Sequence, residues 1–310
     1  YIYFQFQENL MVHGTHNAEQ DERNDEILIF INGNFMKRTE AKISVFDSGY
    51  LVGDGIWEGV RLHHGRLIFI DDHLNRLWKA ARATSIQLPF TKEALIQHIL
   101  DTVAKNEMVD DVHIRVMITR GIKKTPSQDP RLTLSGPNLV IIAEHKKAAT
   151  STLKEGIKLF TSTIRRGSPD YLDPKLNCHS KLYEVQALIQ AIEAGADEAL
   201  MLDINGFVST CNATNFFIVT DREVWTSTDA YCMNGITRSK VIDICYKNGI
   251  ICHEKNFSLY DVYSADEAFV TGTFGGLTPV RHIDGKFIGD FNLTLTQRLQ
   301  ALYYDMITAF

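Results

Sequence analysis

The sequence has no CxxC pair and no cysteine and histidine spacing of the kind that holds zinc, which argues against a structural metal centre. Its five cysteines, Cys178, Cys211, Cys232, Cys245 and Cys252, are odd in number and scattered, so a disulfide framework is not expected either. Free thiols fit a reducing compartment, and the expected location is the cytoplasm. Nor is there a basic excess: 32 Lys and Arg stand against 38 Asp and Glu, a formal charge of -6. With the two signs interspersed, no stripe follows a nucleic-acid backbone and no polybasic tract suits an anionic membrane, so neither is an expected partner. Residues 1–26 lack a charged start followed by a long apolar core and read neither as a secretion signal nor as a membrane span. They are read as an extension, or as residues ahead of a native start at Met11. No internal repeat and no low-complexity tract is found.

What is present is ordinary globular material, 45% hydrophobic and 23% charged over 310 residues, enough for one large domain or two smaller ones. Apolar residues flank Asn32-Gly33 in ILIFINGNF, a dipeptide suited to a tight hairpin because both positions tolerate positive φ. A strand is expected at Gly65 to Ile70, then a helix from Asp72 that carries Leu74, Leu77, Trp78 and Ala81 at helical spacing. Further helices are expected at Lys92 to Lys105 and at Leu182 to Ala194, the latter stopped by Gly195. Between them VHIRVMITR, NLVIIAE, IKLFTSTI, EALMLD, FFIVT and EAFVTG are short, apolar and β-branched, hence strands. The polar segment His145 to Glu155 is the expected linker, dividing a domain at 27–147 from one at 148–310.

Three segments carry candidate chemistry. Ser44 to Leu77 packs Gly49, Gly53, Gly55 and Gly59 among aromatics and places Arg61 on a strand, where glycine permits close backbone approach to a bound group. Taken alone it is equally a glycine-rich strand with a structural cation. In NGITRSKVIDIC, Gly235, Ile236 and Thr237 precede a helical pattern and offer free amides and a hydroxyl to an anion, or merely an N-cap. The small-residue loop of TGTFGGLTPV, around Thr273 and Phe274, offers amides and hydroxyls of the same kind, or a plain turn.

In this order and at about these separations, together with GADEALMLDINGFV and the NATNFFIV strand, the segments resemble the class IV, or fold type IV, aminotransferases of the branched-chain and D-amino-acid kind. The resemblance runs from about Ile31 to the C-terminus. It implies an α+β fold, with a small α/β domain and a larger domain with a barrel-like strand core. It also implies pyridoxal 5'-phosphate as cofactor, amino-group transfer between an amino acid and a 2-oxo acid, and a homodimer. The cofactor phosphate falls to Arg61, Ile236, Thr237 and Thr273. Arg115 matches an arginine near the substrate carboxylate, although a structural salt bridge would use it as readily. Backbone amides near Phe274 share that carboxylate, and Trp57 and Val52 wall the side-chain pocket. Val52 stands where branched-chain enzymes commonly have tyrosine.

Such a cofactor needs a lysine, because an imine exchanges with substrate amines faster than a free aldehyde condenses with them. Lys175, in a DPK context before the helix, is the expected amine, whereas Lys181 reads as part of the helix. Counted back from GADEAL without gaps, the family position falls on Asn177, so Lys175 needs a local shift of register to reach the cofactor. Thr210 stands where relatives place a glutamate against the pyridine nitrogen; a neutral partner there weakens the cofactor as an electron sink. Three alternatives accompany transfer: elimination or decarboxylation on the same fold, a catalytically impaired homologue, and an oligomeric scaffold that binds no cofactor. His63, His64, His113 and His179 show no metal spacing and read as surface or structural histidines.

Overall fold

A computed structural model of the chain describes residues 14, 15, 18 and 20–309; the candidate start Met11 lies outside them. The Asn32-Gly33 turn takes positive φ at both residues, 50° and 92°, joining β1 (Leu28–Ile31) to β2 (Asn34–Lys37) with Ile31 opposite Asn34. With β3 (Gly55–His63), β4 (Arg66–Leu67), β5 (Val112–Thr119) and β6 (Asn138–His145) they form a six-stranded antiparallel sheet in the order β2-β1-β6-β5-β3-β4. Helices α1 (Ser48–Val52), α2 (Ile70–Ala83) and α3 (Lys92–Lys105) belong to this part of the chain.

Strand periodicity of two decides what this sheet does. Val112, Ile114, Val116 and Ile118 of β5 are almost wholly buried, in one core with Leu74, Leu77, Leu95 and Ile99 of α2 and α3. The alternate positions point the other way: Trp57, Gly59 and Arg61 of β3 pair with Met117, Arg115 and His113 of β5. That polar face is the one free to meet a ligand.

After α4 (Thr150–Glu155) come β7 (Ile157–Thr161), α5 (Leu182–Glu193), β8 (Glu198–Leu202), β9 (Val208–Cys211), β10 (Asn215–Thr220), β11 (Glu223–Thr226), α6 (Ile236–Lys247), β12 (Cys252–Glu254), α7 (Leu259–Tyr263), β13 (Glu267–Gly272), β14 (Gly276–Ile283), β15 (Lys286–Phe287) and α8 (Thr294–Ala309). These strands make a second, nine-stranded sheet in the order β12-β11-β10-β13-β14-β7-β8-β9, with β15 on β14. It curls into a half-barrel: Val208 and Cys211 of β9 share one buried core with Phe216 and Ile218 of β10, although the strand order separates them. The fold is the α+β architecture expected, with a curled second sheet.

Three details differ from the sequence reading. The strand expected at 65–70 shrinks to Arg66–Leu67, because Phe69 turns the chain with φ 53° and α2 starts at Ile70. Asp71 and Asp72 then fall in the first helical turn, where carboxylates suit the positive end of the helix dipole. Six residues of the aperiodic linker wind into α4, stopped by Gly156 at φ 72°. The sixteen-residue helix α8, which the sequence reading does not assign, buries Leu299, Tyr303 and Ile307 against α6 and β13. Among the described residues no helix is long and apolar enough to cross a membrane.

Candidate active site

Between the polar face of the first sheet and the curled second sheet lies a cavity of about 340 Å³. One wall is the β3–β5 surface. Arg115 lays its guanidinium 4.0 Å over the Trp57 ring, and the Trp57 indole is fixed in turn by Nε1 donating to the Cys178 carbonyl at 3.1 Å. Burial pulls Arg115 below its ordinary pKa, with Glu144 opposing, yet a guanidinium stays charged at any working pH. Among the described residues no carboxylate forms a salt bridge with it. Gly59 lies between, and a side chain there would press on the His113 imidazole at 2.9 Å.

The opposite end is built from the second sheet. Gly235 caps α6, so the amides of Ile236 and Thr237 open a twelve-residue helix into the cavity. Thr271, Gly272, Thr273 and Phe274, leaving β13, supply small residues and hydroxyls beside them. Arg61 is not in the cavity wall itself; its guanidinium stands 3.7 Å from Asp111. Burial pushes the Tyr303 phenol up, while a hydrogen bond with Thr237 and the charge of Arg61 act against that rise, which puts Arg61 at the Thr237 end.

Thr210 is in the wall, and its hydroxyl proton is committed to the Thr214 carbonyl at 2.7 Å, leaving the oxygen able only to accept. Val52 is on α1, 40% exposed and outside the wall, so the sequence expectation for it is not met: β3 turns its alternate residues inward, and α1 precedes the part of the strand that does so.

Nor does the structure bring Lys175 to the cavity. Its ammonium is 3.8 Å from Asp229 and nearly half exposed. The reason is the pinning of residues 177–179 on β3. Trp57 N–H donates to the Asn177 carbonyl at 2.9 Å, the Asn177 carboxamide donates to the Trp57 carbonyl at 2.8 Å, and His179 N–H donates to the Gly55 carbonyl at 2.9 Å. A register shift that swung Lys175 inward would break all three. Asn177 is 3% exposed and faces the cavity.

Arg76, Arg166 and Glu184 of the wall escape the sequence reading, and Lys181, which that reading assigns to the helix, stands beside them. Arg76 reaches in from α2 while held bidentately by Glu58. Arg166 donates to Glu184 at 2.9 Å, and Lys181, at the start of α5, stands 3.4 Å from the same carboxylate oxygen. None carries a local signal, since an arginine or lysine on a helix or loop is ordinarily a solvated charge. Away from the cavity, His63 and His64 each place Nδ1 3.1 Å from Asp110, a grouping hidden by sequence distance; the Asp110 carboxylate also accepts from two backbone amides, of His64 and Asp111.

A family model described as amino-transferase class IV matches residues 55–283. The branched-chain-amino-acid aminotransferase-like protein 2 of Arabidopsis thaliana is 39% identical over 281 residues, 90% of this chain and 50% of that protein. The chain therefore spans about half the length of that relative. The branched-chain-amino-acid aminotransferase of Pseudomonas aeruginosa is 31% identical over 291 residues, 91% of this chain and 93% of its own. Among solved structures, a T.th. branched-chain amino acid aminotransferase complexed with N-(5'-phosphopyridoxyl)-L-glutamate aligns with TM-score 0.85 and 28% identity, over 92% of this chain and 95% of that one.

Proposed function

The chain belongs to the class IV aminotransferases, and from that premise we propose that its cavity binds pyridoxal 5'-phosphate and serves amino-group transfer between an amino acid and a 2-oxo acid. One observation carries the reading: an anion cradle and three buried polar atoms without hydrogen-bond partners, Asn177 Oδ1, Glu184 Oε2 and Thr271 Oγ1, belong to residues of the same cavity wall. Unpaired groups of this kind cost about 1–3 kcal/mol each, a cost that a bound polar ligand removes.

The residues fit a planar ring with an anionic tail. Amides at Ile236 and Thr237, with the hydroxyls of Thr237 and Thr273, would take the phosphate, and Arg61 would add charge from behind. Thr210 would meet the ring nitrogen as a neutral acceptor. Pyridoxal phosphate supplies the electron sink that labilises the bonds of an amine-bearing carbon. What the chain contributes is orientation: Arg115 over Trp57 presents a fork that matches a substrate carboxylate, and Phe274 closes the apolar side. Relatives at 31–39% identity named as aminotransferases put transfer ahead of elimination. A homodimer in the cytoplasm belongs to the same reading, and the exposed apolar run Val45, Phe46 and Tyr50 supports an association surface.

The test is direct. Purified protein is mixed with pyridoxal 5'-phosphate, then with amino donors and 2-oxo acid acceptors in turn. Formation of a new amino acid that depends on the acceptor is the expected result. Release of an oxo acid without any acceptor would show elimination instead, and failure to retain the cofactor would sink the reading altogether.

A further inference from the structure

Among the described residues the wall of the cavity contains one lysine, and it is not the one the sequence points to. We infer that Lys181 is the amine that condenses with the cofactor aldehyde, the reactive nitrogen having moved from the loop position now held by Asn177 to the first residue ahead of α5. The inference rests on the binding of pyridoxal 5'-phosphate argued above and names the residue that would carry its chemistry.

Geometry supports it on three sides. Position 177 is closed to any substitute from upstream, because Asn177 is tied to Trp57 through both backbone and carboxamide, and Lys175 points to Asp229. Lys181 sits at the mouth of α5, in the cavity wall, with its side chain about one-third exposed. Its tether is loose: 3.4 Å to Glu184, whose same oxygen is held more tightly by Arg166 at 2.9 Å. Glu184 therefore keeps a buried cationic partner when Lys181 leaves it, and its second oxygen, unpartnered and buried, remains available to the ligand. Lys146 is the other amine near the site, but its ammonium lies 4.8 Å over the Phe274 ring and the residue is absent from the wall.

The step balances without a redox partner. The Lys181 ammonium gives one proton to water, Nζ attacks the aldehyde carbon, a carbon–nitrogen double bond replaces the carbon–oxygen one, and the oxygen departs as water with the two remaining amine hydrogens.

The experiment uses the full chain incubated with pyridoxal 5'-phosphate, reduced with borohydride, digested, and mapped by mass spectrometry, with bound cofactor measured separately by equilibrium dialysis. Label on Lys181, and loss of both label and visible absorbance band in Lys181→Arg, is expected; arginine keeps the charge for Glu184 but cannot condense. A melting temperature within a few degrees of wild type confirms that Lys181→Arg folds. Lys175→Ala should keep band and label undiminished. Label on Lys175 or Lys146 overturns the inference, as does tight cofactor retention without any label. No retention of cofactor at all refutes the earlier reading of the cavity as well.

Discussion

Two buried glutamates, Glu184 in the cavity wall and Glu58 behind it, are built to opposite ends. Glu58 is saturated: Arg76 donates to both oxygens at 2.7 and 2.8 Å, and the His73 imidazole lies 2.8 Å from the second. Glu184 is left half-used, with two cations crowding one oxygen and, among the described residues, nothing on the other. A carboxylate with both oxygens bonded holds structure together, whereas one with an open oxygen in a cavity wall waits for something that is not protein. The contrast separates the scaffold from the site more clearly than burial does, since both side chains are nearly inaccessible.

The largest effect should come from breaking the saturated cluster. Glu58→Ala strands Arg76 and the buried His73, and is expected to lower unfolding free energy by about 3–5 kcal/mol in urea titrations. Next, removing one hydroxyl from the anion cradle, as Thr273→Val, forfeits a bond to a charged group of about 1.5–3 kcal/mol, so the cofactor Kd should rise about 10- to 150-fold with the melting curve little moved. Glu184→Gln keeps the shape and one acceptor beside a solvent-connected cavity; about 1 kcal/mol of stability is expected to go. Should that variant prove as damaging as Glu58→Ala, the proposed division between scaffold and site would fail.

The smallest effect is in pH. Burial alone would raise the Glu58 carboxyl, but Arg76 and His73 together outweigh it and hold it below its ordinary value of 4.5. Under that value the unfolded chain takes up the proton before the folded one does. The Glu58 contribution is thus fully present above 4.5 and lost as pH falls through the lower folded value. Acid titration of unfolding, followed by circular dichroism, should show a flatter decline below 4.5 for Glu58→Gln than for wild type.

How much of this was legible in the sequence divides along the same boundary. Period-two alternation in VHIRVMITR announced β5 and, with it, which residues face the cavity; Arg115 arrived there for that reason. Gly235-Ile236-Thr237 announced a helix start, and that helix start lies in the cavity wall, where the cradle is proposed. Arg76, Arg166 and Glu184 were not legible, because their meaning depends on partners 18 residues away in the Glu58–Arg76 and Arg166–Glu184 pairs, and Lys181 was legible as an amine but not as a wall residue, because the cavity is formed by distant segments. Lys175 lies outside the wall for a complementary reason. A motif context marks where a lysine belongs in a family but not whether hydrogen bonds to a neighbouring strand hold the chain in the register that would aim it.

The reach of Arg76 beyond Glu58 has a mechanical result. A third donor, Nη1, binds the Asn234 carbonyl at 2.9 Å, directly ahead of the turn that opens α6. A guanidinium rooted in the first half of the chain thus fastens the threshold of the proposed anion cradle in the second, and a protease cut or hinge bend that separated the halves would loosen that threshold at the same moment.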